Sequence, residues 1–130
     1  MSTGVSPSAV LFVDDVARMT TFYRDAIGMT ILHEEPSHVV LACAGMELVL
    51  HALPNAPSAA PSGEVVVRED SYLKLCFPVN DLAQAREKML ILGGALLAPS
   101  QEWEYRGFRA CDGHDPEGNV LQLRVPAGAP

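Results

Sequence analysis

The chain has 130 residues, of which 48% are hydrophobic and 19% are charged. This composition is typical of a folded globular protein and excludes a disordered chain, and the length suits one domain. The net charge of −7 and the scattered Lys and Arg residues argue against a nucleic-acid partner, because an acidic surface repels a phosphate backbone.

The cysteines and the N-terminus indicate a reducing compartment. Cys43, Cys76 and Cys111 are odd in number and form no CxxC pair, and the chain starts without a basic, apolar signal segment. We therefore expect a cytoplasmic location. No apolar run approaches the roughly 20 residues needed to span a bilayer, so no membrane partner is expected.

In chain order, the elements form a pattern that occurs twice. The segment Val13-Asp14-Asp15-Val16 reappears as Val79-Asn80-Asp81-Leu82. After both copies, apolar residues recur with the period of an amphipathic helix, an acidic or amide start at Asp14-Asp15 or Asn80-Asp81 can cap it, and glycine follows as a C-cap. Alternating or continuous apolar runs predict strands at 8–13, 30–35, 38–44 and 46–53, and again at 72–79, 95–98, 108–112 and 119–125.

These elements predict a single α+β domain over residues 1–130, built from two tandem βαβββ modules. Module one spans 5–53, a Pro/Ala/Ser-rich linker spans 54–70, and module two spans 71–125. One module has too few elements to bury both faces of its sheet, so we expect the two to pack together. The second module carries an aromatic-rich insertion at 100–107, which is predicted to be a loop.

Three motifs make the chain resemble the vicinal oxygen chelate superfamily. They are the Val13-Asp14-Asp15-Val16 opening, a helix that contains Phe22-Tyr23 and closes at Gly28-Met29, and the turn Asp115-Pro116-Glu117-Gly118-Asn119 before the last strand. The superfamily includes glyoxalase, extradiol dioxygenases, methylmalonyl-CoA epimerase, fosfomycin-resistance enzymes and bleomycin-resistance binding proteins. The resemblance implies a cupped, partly closed mixed sheet around a central cavity, and a homodimer. It specifies the fold and no single activity.

The resemblance also locates the positions where metal-dependent members carry their ligands. They fall here on Ser8, Val49, Lys74 and Gln122. A divalent cation needs three or four imidazole, carboxylate or thiolate donors at about 2.0–2.2 Å, and none of these side chains supplies one. A register slip of two residues would put Glu47 or His51 in place of Val49, which still gives a single ligand. No metal and no other cofactor is therefore expected.

Seven residues are candidates for ligand binding: Ser8, Glu47, His51, Lys74, Trp103, Tyr105 and Gln122. Lys74 can bind an anionic group or act as a base, or it can be a paired lysine at the cavity mouth. His51 can be a general base or a structural histidine, and Gln122 needs partners for its amide, which a ligand or Lys74 can supply. Trp103 and Tyr105 can stack a planar ligand, or they can cover the sheet or a dimer contact.

We expect a metal-independent protein that binds a cationic or aromatic small molecule, similar to the bleomycin-resistance branch. The alternative is a glyoxalase-like lyase, isomerase or dioxygenase with an altered active site, and the sequence does not decide whether the chain is an enzyme. A third interpretation is a domain that only mediates association. His33, His38 and His114 show no metal-ligand spacing and are interpreted as surface or turn residues.

Overall fold

The computed structural model describes residues 4–54 and 65–128. Module one comprises β1 Ser8–Val13, α1 Val16–Phe22, β2 Thr30–Glu35, β3 His38–Cys43 and β4 Met46–Ala52. Module two comprises β5 Leu75–Pro78, α2 Leu82–Ile91, β6 Ala95–Leu96, β7 Trp103–Tyr105, β8 Phe108–His114 and β9 Val120–Pro126. The α+β class and the repeated βαβββ pattern are thereby confirmed, with β7 as an additional strand in module two, while residues 55–64 of the predicted linker lie outside the described residues. Neither helix in the described ranges is long and apolar enough to cross a membrane.

Each module folds its strands into one mixed sheet. Sheet 1 has the order β1-β4-β3-β2, in which β1 runs parallel to β4 and the other pairs are antiparallel. Sheet 2 has the equivalent order β5-β9-β8-β6, with β5 parallel to β9 and with β7 paired to β8. The repeat in the sequence is therefore a repeat of strand topology.

Both helices begin at the predicted aspartates. The side chains of Asp15 and Asp81 each accept a hydrogen bond of 3.0 Å from the backbone N–H three residues further on, a group that the helix itself leaves without a partner. After α1 the chain continues as a π-helical turn, Tyr23–Ile27, which ends at Gly28. Gly28 has a φ of 90°, a left-handed conformation that glycine adopts without steric cost.

Module two differs from the prediction in the insertion. The loop assignment is wrong for 103–105, because these residues form β7 and pair with β8. Arg106 and Gly107, with φ angles of 50° and 83°, make the two-residue connection whose twist suits a β-hairpin. Two further strands are shorter than predicted: β5 begins at residue 75, and β6 ends at residue 96, three residues before Pro99 opens a short 3-10 turn.

The helices and one face of each sheet enclose a shared core. Its largest fully buried side chains include Met19, Phe22, Tyr23, Leu41, Leu48, Leu50, Phe77, Leu82, Met89, Leu121 and Leu123.

Alternate strand residues point away from this core, and on β1 Val10 and Phe12 are 53% and 54% exposed. We call these outward surfaces open face 1 and open face 2. The register places Ser8, Val10, Phe12, His38, Val40, Glu47, Val49 and His51 on open face 1, and Cys76, Trp103, Tyr105, Phe108, Ala110, Asp112, Gln122 and Arg124 on open face 2.

A buried hydrogen bond joins the two modules. The hydroxyl of Tyr23 donates to Asp115 Oδ2 at 2.7 Å, and both side chains are almost completely buried. The Asp115 carboxylate also accepts hydrogen bonds from the backbone N–H groups of Glu117 and Asn119 and from the Asn119 amide. Burial raises the pKa of Asp115, and burial together with the nearby Asp115 charge raises the pKa of Tyr23, so the phenol remains a hydrogen-bond donor.

Glu117 in the same turn makes a second link to module one. Its carboxylate accepts hydrogen bonds of 2.8 Å from the backbone N–H groups of Asp14 and Asp15, just before α1. The turn also requires a glycine, because Gly118 has a φ of 84° and a Cβ there would collide with the backbone carbonyl of Val66. The motifs that suggested the superfamily therefore build the joint between the modules.

We predict that Tyr23→Phe lowers the free energy of unfolding by about 1–3 kcal/mol, because it leaves the buried Asp115 carboxylate without one donor. The ring itself would keep its edge-to-face contact with Phe77. Urea unfolding measures this difference, with Tyr72→Phe as the matched control at a fully exposed tyrosine, for which a change below about 0.5 kcal/mol is expected. A Tyr23→Phe protein that unfolds at the wild-type urea concentration would contradict the structural role of the hydroxyl.

Candidate functional site

Open face 2 carries a connected row of polar side chains. Lys74 Nζ lies 3.1 Å from Asp112 Oδ2, and Asp112 Oδ1 accepts a hydrogen bond of 3.1 Å from Gln122 Nε2. Gln122 Oε1 accepts a hydrogen bond of 2.7 Å from Arg124 Nε, and the Arg124 guanidinium lies 4.4 Å from the centre of the Phe108 ring. Both ends of the buried Gln122 amide are therefore satisfied within the protein. Gln122 does not bond to Lys74 directly, because Asp112 lies between these two side chains and contacts both.

A cavity of about 530 Å³ adjoins the Lys74 end of this row. Its size lies within the range typical of small-molecule sites. Its apolar wall includes Val67, Tyr72, Leu73, Leu97 and Val120. The charged groups at the wall are Glu69, Lys74 and Asp112. Because Lys74 is paired with Asp112, the carboxylate of Glu69 gives the lining an excess of negative charge.

The module-one candidates lie on open face 1. Ser8 and Glu47 are opposite each other in the β1–β4 ladder, and His51 is opposite Phe12 further along the same ladder. His51 Nδ1 lies 2.8 Å from the backbone carbonyl of Ala52 and donates to it. Within the chain, the predicted residues are thus divided between two sheets instead of meeting at one point.

Trp103 and Tyr105 extend open face 2 at the end that carries Phe108. They lie opposite Ala110 and Phe108 in the β7–β8 ladder and are 39% and 59% exposed. The Tyr105 and Phe108 rings meet edge to face, with centres 5.7 Å apart. Neither Trp103 nor Tyr105 is among the residues that line the cavity. Their structural role is to form the added strand and its aromatic corner.

Sequence reasoning missed Asp112 and Arg124, which link the predicted residues. Arg124 is the repeat mate of His51, since the segment 45–51 matches 118–124, and that match was the available signal. Asp112 lies on β8 between outward-facing Ala110 and His114. Only the strand register shows that it faces Gln122.

The chain does not fit the divalent-metal site of the superfamily. At two of the four positions, the ammonium of Lys74 is paired with a carboxylate, and the carbonyl oxygen of Gln122 already accepts a hydrogen bond. The other two positions offer the hydroxyl of Ser8 and the isopropyl group of Val49. Neither is an anionic or imidazole donor of the kind that holds a divalent cation.

Comparisons with known proteins agree with this fold. Comparison with curated proteins gave no match. Among solved structures, a glyoxalase/bleomycin resistance protein/dioxygenase family enzyme from Burkholderia phytofirmans is 18% identical, with 92% of this chain and 96% of that chain covered and a TM-score of 0.64. A lactoylglutathione lyase from Agrobacterium tumefaciens is 20% identical, with 96% of both chains covered and a TM-score of 0.58.

A third similar structure contains a metal. It is a mutant of the fosfomycin resistance protein of Listeria monocytogenes complexed with Mn(II) and 1S,2S-dihydroxypropylphosphonic acid, 18% identical, with 95% of this chain and 90% of that chain covered and a TM-score of 0.63. At such identities the likeness shows the fold alone. The family model described as the Glyoxalase/Bleomycin resistance protein/Dioxygenase superfamily matches residues 6–123. Since this match spans most of the chain, the protein belongs to the glyoxalase/bleomycin resistance protein/dioxygenase superfamily.

Proposed function

We propose that this protein binds a small organic molecule in the cavity beside Lys74 and Asp112, without a metal ion at the position used by metal-dependent relatives. The observation that carries the proposal is the internal pairing of Lys74 and Gln122, which occupies two of the four expected ligand positions. Binding requires only a concave, largely apolar surface with a few placed polar groups, and the adjoining cavity supplies both.

The lining favours a ligand with an aromatic body and a cationic group. Tyr72 and its aliphatic neighbours offer a surface on which a planar ring can pack, and the carboxylate of Glu69 offers a partner for a positive charge. The overall charge of −7 would also attract a cation toward the protein. The local and the global charge thus support the same class of ligand.

A thermal-shift screen with a chelator present identifies such a ligand, because binding to the native state raises the melting temperature. We expect cationic aromatic compounds to stabilise the protein as well with the chelator as without it. A ligand at about a hundredfold excess over its Kd adds about 2.7 kcal/mol of stability. If every stabilising compound bound only after a divalent metal was added, the proposal of a metal-independent site would be contradicted.

The position of the bound cation is tested with Glu69→Gln, and Glu87→Gln on the exposed surface of α2 is its control. We expect Glu69→Gln to weaken the binding of a cationic compound by roughly fivefold to tenfold, or about 1 kcal/mol, and to leave the binding of a neutral isostere unaffected. Titration calorimetry measures both compounds on both variants. Equal losses for the cationic and the neutral compound would contradict an ion pair at Glu69.

The alternative is an enzyme of the lyase, isomerase or dioxygenase kind with an altered site. A compound that is chemically converted, with turnover abolished by Lys74→Ala or His51→Ala, would support this alternative over simple sequestration.

We also propose that the protein acts as a homodimer formed through the β1 side of open face 1. On open face 1, Val10 and Phe12 expose more than half of their surface, and β1 is an edge strand of sheet 1. Exposed apolar residues on an edge strand favour association with another chain.

For the homodimer, we predict that Val10→Glu produces a monomer at micromolar concentration, because it introduces a charge into the buried contact. Leu90→Glu is the control, since Leu90 is 70% exposed on α2 and lies on the helix surface instead of the sheet. Sedimentation analysis measures the masses, and we expect a dimer for the wild type and for the control. A monomeric wild-type protein would rule out the proposed dimer.

A further inference from the structure

Three side chains come together on the β2–β3 hairpin although their sequence spacing gave no sign of a site. They are His33 and Glu35 on β2 and His38 on β3, and their ligating atoms all lie within 4.8 Å of one another. The group is accessible, because His33 and Glu35 are exposed and His38 is about one quarter exposed. None of the three belongs to the polar row or the cavity on open face 2.

The β2–β3 hairpin brings these residues to one face. Next to its turn the pairing is regular, so that Glu35 lies opposite His38 and His33 lies opposite Val40, and the register shifts only beyond His33, toward Ile31. Because side chains at alternate strand positions share a face, His33, Glu35 and His38 all project from the same side. The two-residue connection at positions 36 and 37 keeps Glu35 and His38 next to each other.

We propose that His33 Nε2, a carboxylate oxygen of Glu35 and His38 Nε2 form a binding site for a borderline divalent transition-metal ion such as Zn²⁺. Glu35 Oε2 lies 2.9 Å from His33 Nε2 and 3.2 Å from His38 Nε2. Donors around a tetrahedral zinc ion with bonds of about 2.0–2.1 Å are about 3.3 Å apart. To bind an ion, each of these two distances therefore has to change by only a few tenths of an ångström. The three side chains leave the fourth coordination position of the ion for water or another ligand.

The neighbours of His38 hold its ring in the orientation that the site needs. Ser37 Oγ lies 3.1 Å from His38 Nδ1, and a hydroxyl can accept a hydrogen bond from this nitrogen when Nε2 binds a metal. The His38 ring also stacks on the ring of His51, with an interplanar angle of 10° and a centroid distance of 5.7 Å. The His33 ring is 5.6 Å from the His38 ring, which completes a row of imidazoles across sheet 1.

Location separates this site from the superfamily's metal position. The superfamily position involves β1, β4, β9 and the segment before β5, whereas the hairpin site uses only β2 and β3. The hairpin supplies two imidazoles and a carboxylate, a combination that suits zinc. The inference therefore stands independently of the proposed ligand cavity, and either can fail without the other.

The experiment titrates the full-length, tag-free protein with zinc chloride by calorimetry and with cobalt(II) by visible absorption. We expect one ion per chain, and we expect His33→Ala, Glu35→Gln and His38→Ala each to weaken binding by at least about tenfold. His114→Ala on sheet 2 is the control and should keep the wild-type affinity. Because the three residues are on the surface, the variants should unfold at the wild-type urea concentration.

A measurement on the wild type needs no variant. Side-chain NMR of the four histidines should show zinc-dependent shifts at the Nε2 atoms of His33 and His38 and none at His114. A wild-type protein that binds no zinc in the calorimeter would overturn the proposal. So would zinc affinity that stays unchanged in all three variants, or that is lost in His114→Ala.

Discussion

The buried hydrogen bond between Tyr23 and Asp115 determines how the two halves of this protein meet. Asp115 is the first residue of the turn before the last strand, and Tyr23 follows the first helix, so the bond connects the end of module two to the start of module one. Glu117 strengthens the connection by accepting hydrogen bonds from the backbone just before α1. Polar groups in the core need hydrogen-bond partners, and the backbone N–H groups of the surrounding turn supply them to the Asp115 carboxylate.

The helices and the sheets that meet at this joint have different structural roles. The helices and the inner sheet faces bury the apolar side chains in one core, which leaves the two outer sheet faces for ligands or for a second copy of the chain. On open face 2, an ion pair and hydrogen bonds link Lys74, Asp112, Gln122 and Arg124 in a continuous row. Lys74 and Gln122, two of the four positions at which the resemblance expects a metal ligand, thus take part in a structural network, and we propose that the neighbouring cavity binds the ligand.

Much of the fold could be predicted because its signals are local. Asp15 and Asp81 mark the helix starts, Gly28 marks a helix end, and alternating apolar residues mark most of the strands. The strand β7 was missed since three residues are too few for a periodic pattern, and its hairpin depends on the left-handed conformations of Arg106 and Gly107.

The candidate site was only partly predictable because side-chain pairs across a sheet depend on strand register. Lys74 and Gln122 were identified from the resemblance to the superfamily, but their shared partner Asp112 became visible only from the pairing of β8 with β9. The cluster of His33, Glu35 and His38 likewise depends on the pairing of β2 with β3, which places Glu35 opposite His38. Sequence spacing identifies residue types, whereas register decides which of them meet.

We infer that the pairing of Lys74 and Gln122 within the chain excludes a divalent metal from the position at which relatives bind one. Anomalous scattering from crystals soaked in manganese(II) tests this inference, because the method locates the ion itself. We expect no manganese peak among Ser8, Val49, Lys74 and Gln122, whether these residues come from one chain or from two. A manganese ion coordinated at that position would overturn the inference.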